Sequence, residues 1–317
     1  MINNSVWVVV LASAVTYGTP LLYAAIGELL TERAGVLNLG VEGMMLVGAV
    51  MGFWAVQRTG SLLLAIVVAA IAGASMALIH AFLVITLRAN QIVSGLALVI
   101  FAGSAGLSSY LGNDLNLADQ PARHAFTPFL PHSWQTASVV GPILFKQSAL
   151  VYASWALVVI VALYLNRTRL GLNVRAVGES PEAADAMGIN VTAYRYAHTL
   201  VGGAFAGVGG ACFTLWITPQ WVDGITAGAG WIAIALVIFA FWRSALCLVG
   251  AYLFGAFSGI PFAFQARGIL KGIPPELFQS LPYVMTIVVL VIVSSAGARR
   301  RLGAPAALGT PYVREER

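Results

Sequence analysis

Charge is what this chain has least of. Only 9% of its 317 residues are Asp, Glu, Lys or Arg, where about 25% is usual for a soluble domain. A soluble protein of this length needs a charged skin, and 17 basic and 12 acidic side chains cannot supply one. A soluble enzyme, a nucleic-acid-binding module and a disordered chain are thereby excluded. Cysteine is scarce too: Cys212 and Cys247 both fall in apolar runs, so they read as buried thiols and not as a disulfide or metal framework. Lys146 follows Phe145 and Lys271 follows Leu270, so the Gly-Lys pair of a phosphate-binding P-loop is missing and ATP hydrolysis by a Walker mechanism is excluded. HExxH, GxSxG and metal-spaced cysteines are missing as well, and no catalytic constellation is visible. The four histidines, His80, His124, His132 and His198, are scattered and read as packing or surface residues.

What remains is apolar. Hydrophobic residues make up 59% and there are 33 glycines, against about 45–50% apolar residues, glycine included, in soluble domains. Nine apolar runs stand out, at 6–26, 41–57, 62–87, 92–112, 147–166, 196–216, 226–242, 246–264 and 281–298. They are continuous, without period-2 alternation, which predicts membrane-spanning helices and not a barrel. The expected fold is therefore an all-α polytopic membrane protein forming a single transmembrane domain over 1–317. The first Lys or Arg is Arg33, so the first run lacks a basic leader region and is expected to stay as a span. Nine crossings put the termini on opposite sides. With the C-terminus inside, twelve Lys and Arg face the cytoplasm, the Arg299–Arg301 cluster among them, and five face out (Arg58, Arg123, Lys146, Arg267 and Lys271). The positive-inside rule thus predicts N-out, C-in.

Two connections resemble interruptions more than loops. Gly27–Gly40 and Thr218–Gly230 are glycine-bearing, polar-dotted stretches, each between a full run and a short one. They predict broken helices and a four-plus-four inverted repeat. Repeat one covers about 6–112, a linking span 147–166, a connecting loop 167–195, repeat two about 196–298, and a cytoplasmic tail 299–317. Transporters build substrate sites at such repeat interfaces. Gly202–Ala211 lies inside a run and reads as close helix packing. The segment 113–146, with Asp114, Asp119, Arg123, His124, Pro121, Pro128, Pro131 and Trp134, is the largest outer loop.

The 167–195 connection carries the most specific pattern. Ser180 suits an N-cap, Pro181 the first helical position, Glu182 the positive helix end, and Gly188 the C-terminal stop. A two-turn helix at about 181–187 is expected outside the membrane. Ala183, Ala184 and Met187 give it a small apolar face at i, i+3 and i+4 spacing. Such a helix is poorly stable alone and suits a knob held in a partner's groove.

The Glu-Ala-Ala-Asp-Ala-Met-Gly-Ile-Asn run of 182–190 resembles the coupling loop of ABC-importer permeases. Glu28–Leu46 and Arg88–Ala97 are similar to permeases of the ribose and branched-chain amino-acid superfamily, most of all its nucleoside branch, as is Leu281–Ile287. Phe241-Trp-Arg-Ser-Ala245 departs from that branch's Gly-x-Trp-x-Pro turn. The resemblance implies a bacterial inner-membrane permease with no cofactor of its own. Two permease chains, alike or different, would form the pore. A separate ATPase carrying ATP and Mg would dock at Ser180, Pro181, Glu182, Ala183, Ala184, Asp185, Met187 and Gly188, and an extracytoplasmic binding protein would deliver solute. The remaining contact is lipid.

Around the first interruption, Arg33 is expected to pair with Glu28 or Glu32, since ionisable groups at membrane depth seek partners. Asn38, Glu42, Asn90, Gln91 and Ser94 are the candidates to meet solute, a nucleoside offering hydroxyls and base edges to such groups. Helix–helix hydrogen bonds explain the same residues equally well. An ion- or proton-coupled secondary transporter is the alternative, with Glu42 as its mid-span acid; the same permease role for a sugar or amino acid is another.

Overall fold

The computed structural model describes residues 6–103, 105–118, 120–136, 139–265, 277, 280–293 and 303–314. Arg267, Lys271, Asp119 and the Arg299–Arg301 cluster lie outside the described residues. The helices are α1 Val6–Arg33, α2 Val41–Thr59, α3 Leu62–Ala81, α4 Gln91–Ala102, α5 Leu107–Asp114, α6 His132–Gln135, α7 Ala149–Arg167, α8 Arg169–Glu179, α9 Pro181–Ala186, α10 Val191–Cys212, α11 Ala229–Phe239, α12 Ser244–Gln265 and α13 Leu281–Val293. Among the described residues the only β pairing is three isolated bridges, Ala118 with Trp221, Pro121 with Gln220 and Pro128 with Ser148. Among the described residues six stretches are long and apolar enough to cross a membrane: Val6–Arg33, Leu62–Thr86, Gln91–Asp114, Ala149–Arg167, Val191–Ile217 and Ser244–Pro261. The protein is a multi-pass membrane protein.

Local chemistry sets several helix starts. The side chains of Ser61, Asn90, Thr168 and Asn190 each accept from the backbone N–H three residues on, at 3.3, 3.1, 3.0 and 3.0 Å. Such caps satisfy one of the orphan donors that open every helix. Helices α3 and α10 do not stop where their α-helical bonding stops. Each continues through a five-residue π turn, Phe82–Thr86 and Phe213–Ile217, which extends its apolar length.

The centre is α2, buried from Val41 through Val56 except at Met51 and Trp54 and enclosed by α3, α4, α10 and α11. Helix α1 packs against α12 and α10, and α10 packs against α3. These crossings are backbone to backbone. A side chain on Gly73 would overlap the Gly203 carbonyl, and one on Gly255 would overlap the Ala14 carbonyl. Gly27 meets Gly202, Gly48 meets Gly207, and Gly210 lies on the Met45 carbonyl. The Gly202–Ala211 run is thus a packing surface, as its place inside a span suggests, because without large side chains helices approach closely enough for extensive van der Waals contact. The rim is apolar towards the outside: Leu63, Val67 and Ile71 on α3, Val159, Ile160 and Leu163 on α7, and Val249 and Leu253 on α12 are exposed. In water such a surface would aggregate; in a bilayer it is solvated by lipid tails.

One sequence expectation needs correction. Helix α1 does not break at Gly27 but runs on to Arg33, because Glu28 and Glu32 are buried with partners and Gly27 is seated on α10. The first interruption shrinks to 34–40. The run at 92–112 falls within one span-length stretch, Gln91–Asp114, which holds α4 to Ala102 and α5 from Leu107. Residues 303–314 fold back against α8, α9 and α10. The outer segment is likewise woven in. Ala122 and Phe126 donate to the Pro219 and Leu215 carbonyls at 2.8 Å each, and Gln57 donates to the Pro121 carbonyl at 2.8 Å.

Candidate functional site

The connection between α1 and α2 gathers four of the five residues expected to meet solute. Asn38, Glu42, Gln91 and Ser94 are buried here, while Asn90 is exposed and caps α4. Gln91 Oε1 accepts from the Leu37 N–H at 2.7 Å. His80 joins Ser94 Oγ at 3.0 Å to the Leu37 carbonyl at 3.1 Å. Asn38 receives the Gly40 N–H on its Oδ1 at 2.9 Å and gives its own N–H to Glu28 at 3.1 Å. The turn is therefore held from α1, α3 and α4 at once. One buried donor in it has no hydrogen-bond partner, Gln91 Nε2. A hydroxyl or carbonyl oxygen of a polar solute can satisfy it. His80 is the member that sequence reading set aside; its spacing to Ser94 carries no local signal.

Glu42 reaches across the protein. Its carboxylate accepts from Thr226 Oγ1 at 2.6 Å, Gly228 N at 2.9 Å and Gly230 N at 2.7 Å. Gly228 is the N-cap of α11, in left-handed geometry at φ 80°, with no side chain of its own to cap with. An acid from the first half of the chain thus supplies the cap and the favourable charge at the N-terminus of a helix in the second half. Position 230 must be glycine, since a Cβ there would lie 2.5 Å from the Glu42 backbone.

The other end of α11 is gripped from α1. Phe241 and Trp242 both have positive φ, 49° and 54°, a conformation costly for residues with a Cβ. The double turn aims the Trp242 indole N–H at Glu32 Oε2, at 2.5 Å, and its carbonyl at Arg33, whose Nη2 and Nε donate at 2.9 and 3.3 Å. The expected ion pair of Arg33 with Glu28 or Glu32 does not form. Arg33 lies at the last turn of α1, where carbonyls of Trp242 and Gly303 are in reach, while Glu32 faces inward to the indole. At 11 residues and about 1.5 Å per residue, α11 is far short of the roughly 30 Å of hydrocarbon it would have to span. It is a half-helix held at both ends by the first half of the chain.

The second candidate site is α9. It spans Pro181–Ala186, as the sequence predicts to within a residue. Ser180 occupies the N-cap position but its side chain makes no capping bond, because its backbone (φ −151°, ψ 89°) is shared with the end of α8. Gly188 ends the turn at φ 82°. The expected apolar face is divided. Ala184 is buried against Val177 and Val191, whereas Ala183 and Met187 are exposed, Met187 at 83%. Glu182 is also exposed, and Asp185 meets Arg314 at 3.6 Å. So α9 is anchored by Pro181 and Ala184 and presents an outward face with a large uncovered apolar tip. Gly188→Ala is expected to cost about 1 kcal/mol, because a Cβ disfavours positive φ while nothing lies within 4 Å of it. Thermal unfolding of the purified chain checks this; a loss several times larger would mean that Gly188 is sterically confined.

Two cavities open at this end of the bundle. One, of about 470 Å³, lies beside α9 between Thr86, Arg88, Asp185, Asn190, Tyr312 and Arg314. The other, of about 710 Å³, lies at the base of α7 with Arg33, Arg175 and Arg243 on its walls. Among the described residues no group of His, Cys, Asp and Glu is arranged to hold a metal ion.

Discontinuous helices in a multi-pass bundle are how many transporters are built. Residues 10–290 match the family described as branched-chain amino acid transport system, permease component. The chain belongs to that family and is a permease subunit of an ABC importer. It is 39% identical to a protein of Haloferax volcanii provisionally named a glucose ABC transporter permease, over 96% of this chain and 97% of that one. It is 34% identical to the nucleoside ABC transporter permease NupC of Lactococcus lactis, over 97% and 98% of the two chains. It is 32% identical to the guanosine ABC transporter permease NupQ of Bacillus subtilis, over 98% of each. No solved structure matches it.

Proposed function

We propose that this chain forms one half of a pore that admits a nucleoside to the cytoplasm of a bacterium, driven by an ATPase seated on α9. The likeness to two permeases named for nucleoside and guanosine, over nearly the whole of each chain, carries the solute reading. The likeness to a glucose permease favours a sugar as the second reading, and both solutes present sugar hydroxyls.

The arrangement of helices supports a four-plus-four inverted repeat of nine spans, with α1 to α4 matching α10 to α13. Exchanging the two sets leaves the pattern of packing the same: α1 on α12 becomes α10 on α3, α1 on α11 becomes α10 on α2, and α2 on α4 becomes α11 on α13. Gly18 with Gly255 likewise exchanges with Gly207 and Gly73. In this reading the N-terminus faces out, and the α8–α9 connection, with Arg167, Arg169 and Arg175, faces in. Asn38, Gln91 and Ser94 line the solute's route at the repeat interface, with Gln91 Nε2 as its free donor. The three bonds that Glu42 accepts give it a structural role at the start of α11, different from the one a proton-coupled carrier would assign it. A second permease chain, an ATPase below and a binding protein above complete the transporter; ATP and Mg belong to the ATPase.

The test is solute-stimulated ATP hydrolysis by the reconstituted complex. Nucleosides are expected to stimulate and glucose and branched-chain amino acids are not. Stimulation by glucose alone would replace the nucleoside with a sugar, and uptake without any ATPase would end the ABC reading of α9.

A further inference from the structure

The tail is tied to every element around α9. Ala307 donates to the Gly178 carbonyl at the end of α8 at 3.0 Å, and Gly309 to the Gly35 carbonyl in the α1–α2 turn at 3.4 Å. Arg33 Nη1 holds the Gly303 carbonyl at 3.4 Å, and Arg314 meets Asp185 of α9 at 3.6 Å. Tyr312 packs against the buried cluster of Val177, Ala184 and Val191, to which α9 contributes its alanine. Beneath lies Arg195, 2% exposed, whose Nη1 donates to the Thr310 carbonyl at 3.1 Å. Its Nε and Nη2 have no hydrogen-bond partner. A buried guanidinium held by a single carbonyl depends on the segment that provides it, so the tail and Arg195 hold each other in place.

A two-turn helix has little stiffness of its own. What fixes α9 to the bundle is Ala184, Pro181 and the tail. The same tail touches Gly35, three residues before Asn38. It also shares with α9 the 470 Å³ groove lined by Thr86, Arg88, Asn190, Tyr312 and Arg314.

We propose that Gly303–Arg314 is a coupling strap: with α9 it forms the surface on which the ATPase bears, and it carries displacement of α9 to the α1–α2 turn. This rests on α9 being the ATPase contact. The strap gives that contact a second attachment to the solute turn, independent of the covalent route through α10.

The test uses the full complex in proteoliposomes, with solute taken up per ATP hydrolysed as the readout. Three altered chains are compared: one ending at Pro305, Tyr312→Ala, and Tyr312→Phe. In the truncated chain ATP hydrolysis is expected to continue while uptake per ATP falls about tenfold, the scale of an ordinary coupling energy. Tyr312→Ala is expected to fall less far than the truncated chain, and Tyr312→Phe, which keeps a ring against the cluster of Val177, Ala184 and Val191, to fall less than Tyr312→Ala. An unchanged ratio in the truncated chain overturns the strap. Should the truncated chain fail to assemble, the Tyr312 pair decides, and equal ratios in Ala and Phe overturn it. A complex of unaltered chains that hydrolyses no ATP would instead overturn the reading of α9.

Discussion

Glu42→Ala is expected to undo the joint between the two halves of the protein. Three donors, on Thr226, Gly228 and Gly230, lose their acceptor at once, and Thr226 and Gly230 are buried. At about 1–3 kcal/mol for each of these two buried groups left unpaired, the cost is roughly 2–6 kcal/mol. That is comparable with the whole stability of many folded chains. Glu42→Gln keeps one carbonyl acceptor but loses the charge facing the α11 N-terminus and turns an N–H₂ towards another donor, so an intermediate loss is expected. Thermal unfolding in detergent, followed by gel filtration, gives the measurement. A Glu42→Ala chain as stable as the unaltered one would mean that α11 holds its place without this cap.

Gly207→Val is the second large effect. Position 207 sits where α10 crosses both α2 and α3: a Cβ there would overlap the Ala69 carbonyl, and Gly48 and Gly73 face the same residue. The obstructing atoms are backbone, so no rotamer change relieves the overlap and the helices must move apart. A loss beyond the ~1–3 kcal/mol typical of an overpacked core is expected, seen as aggregated or misfolded protein on gel filtration. Gly207→Ala is already expected to be damaging, whereas Gly303→Ala, whose nearest neighbour is the Phe241 carbonyl at 3.7 Å, has room for its methyl group. Equal behaviour of Gly207→Val and Gly303→Ala would overturn the account of backbone contact at this crossing.

The parts of this fold that were legible in the sequence are those with a local cause. Apolar runs at 62–87, 147–166 and 196–216 predicted the helices found at Leu62–Thr86, Ala149–Arg167 and Val191–Ile217, because burial in lipid requires a span to be apolar along its length. Helix α9 was legible because its signals, Pro181 at its start and Gly188 at its end, are neighbours in the chain. The Arg33 pairing was misjudged for the complementary reason. Its true partner, the Trp242 carbonyl, lies 209 positions away, and no spacing rule reaches that far. The capping of α11 by Glu42 was equally out of reach, since a carboxylate at the start of one helix gives no sign that it serves another.

By itself, the amino-acid sequence determined the solvent and the kind of structure. With 9% charged residues the chain can be stable only where lipid replaces water, and there its backbone must close its own hydrogen bonds as helices. Tertiary structure alone decided which polar groups became anchors: Glu42 for α11, Glu32 and Arg33 for Trp242, and the tail for α9 and Arg195. The reason lies in the medium. Away from water a polar side chain is held by a partner that folding brings to it, however distant in the chain.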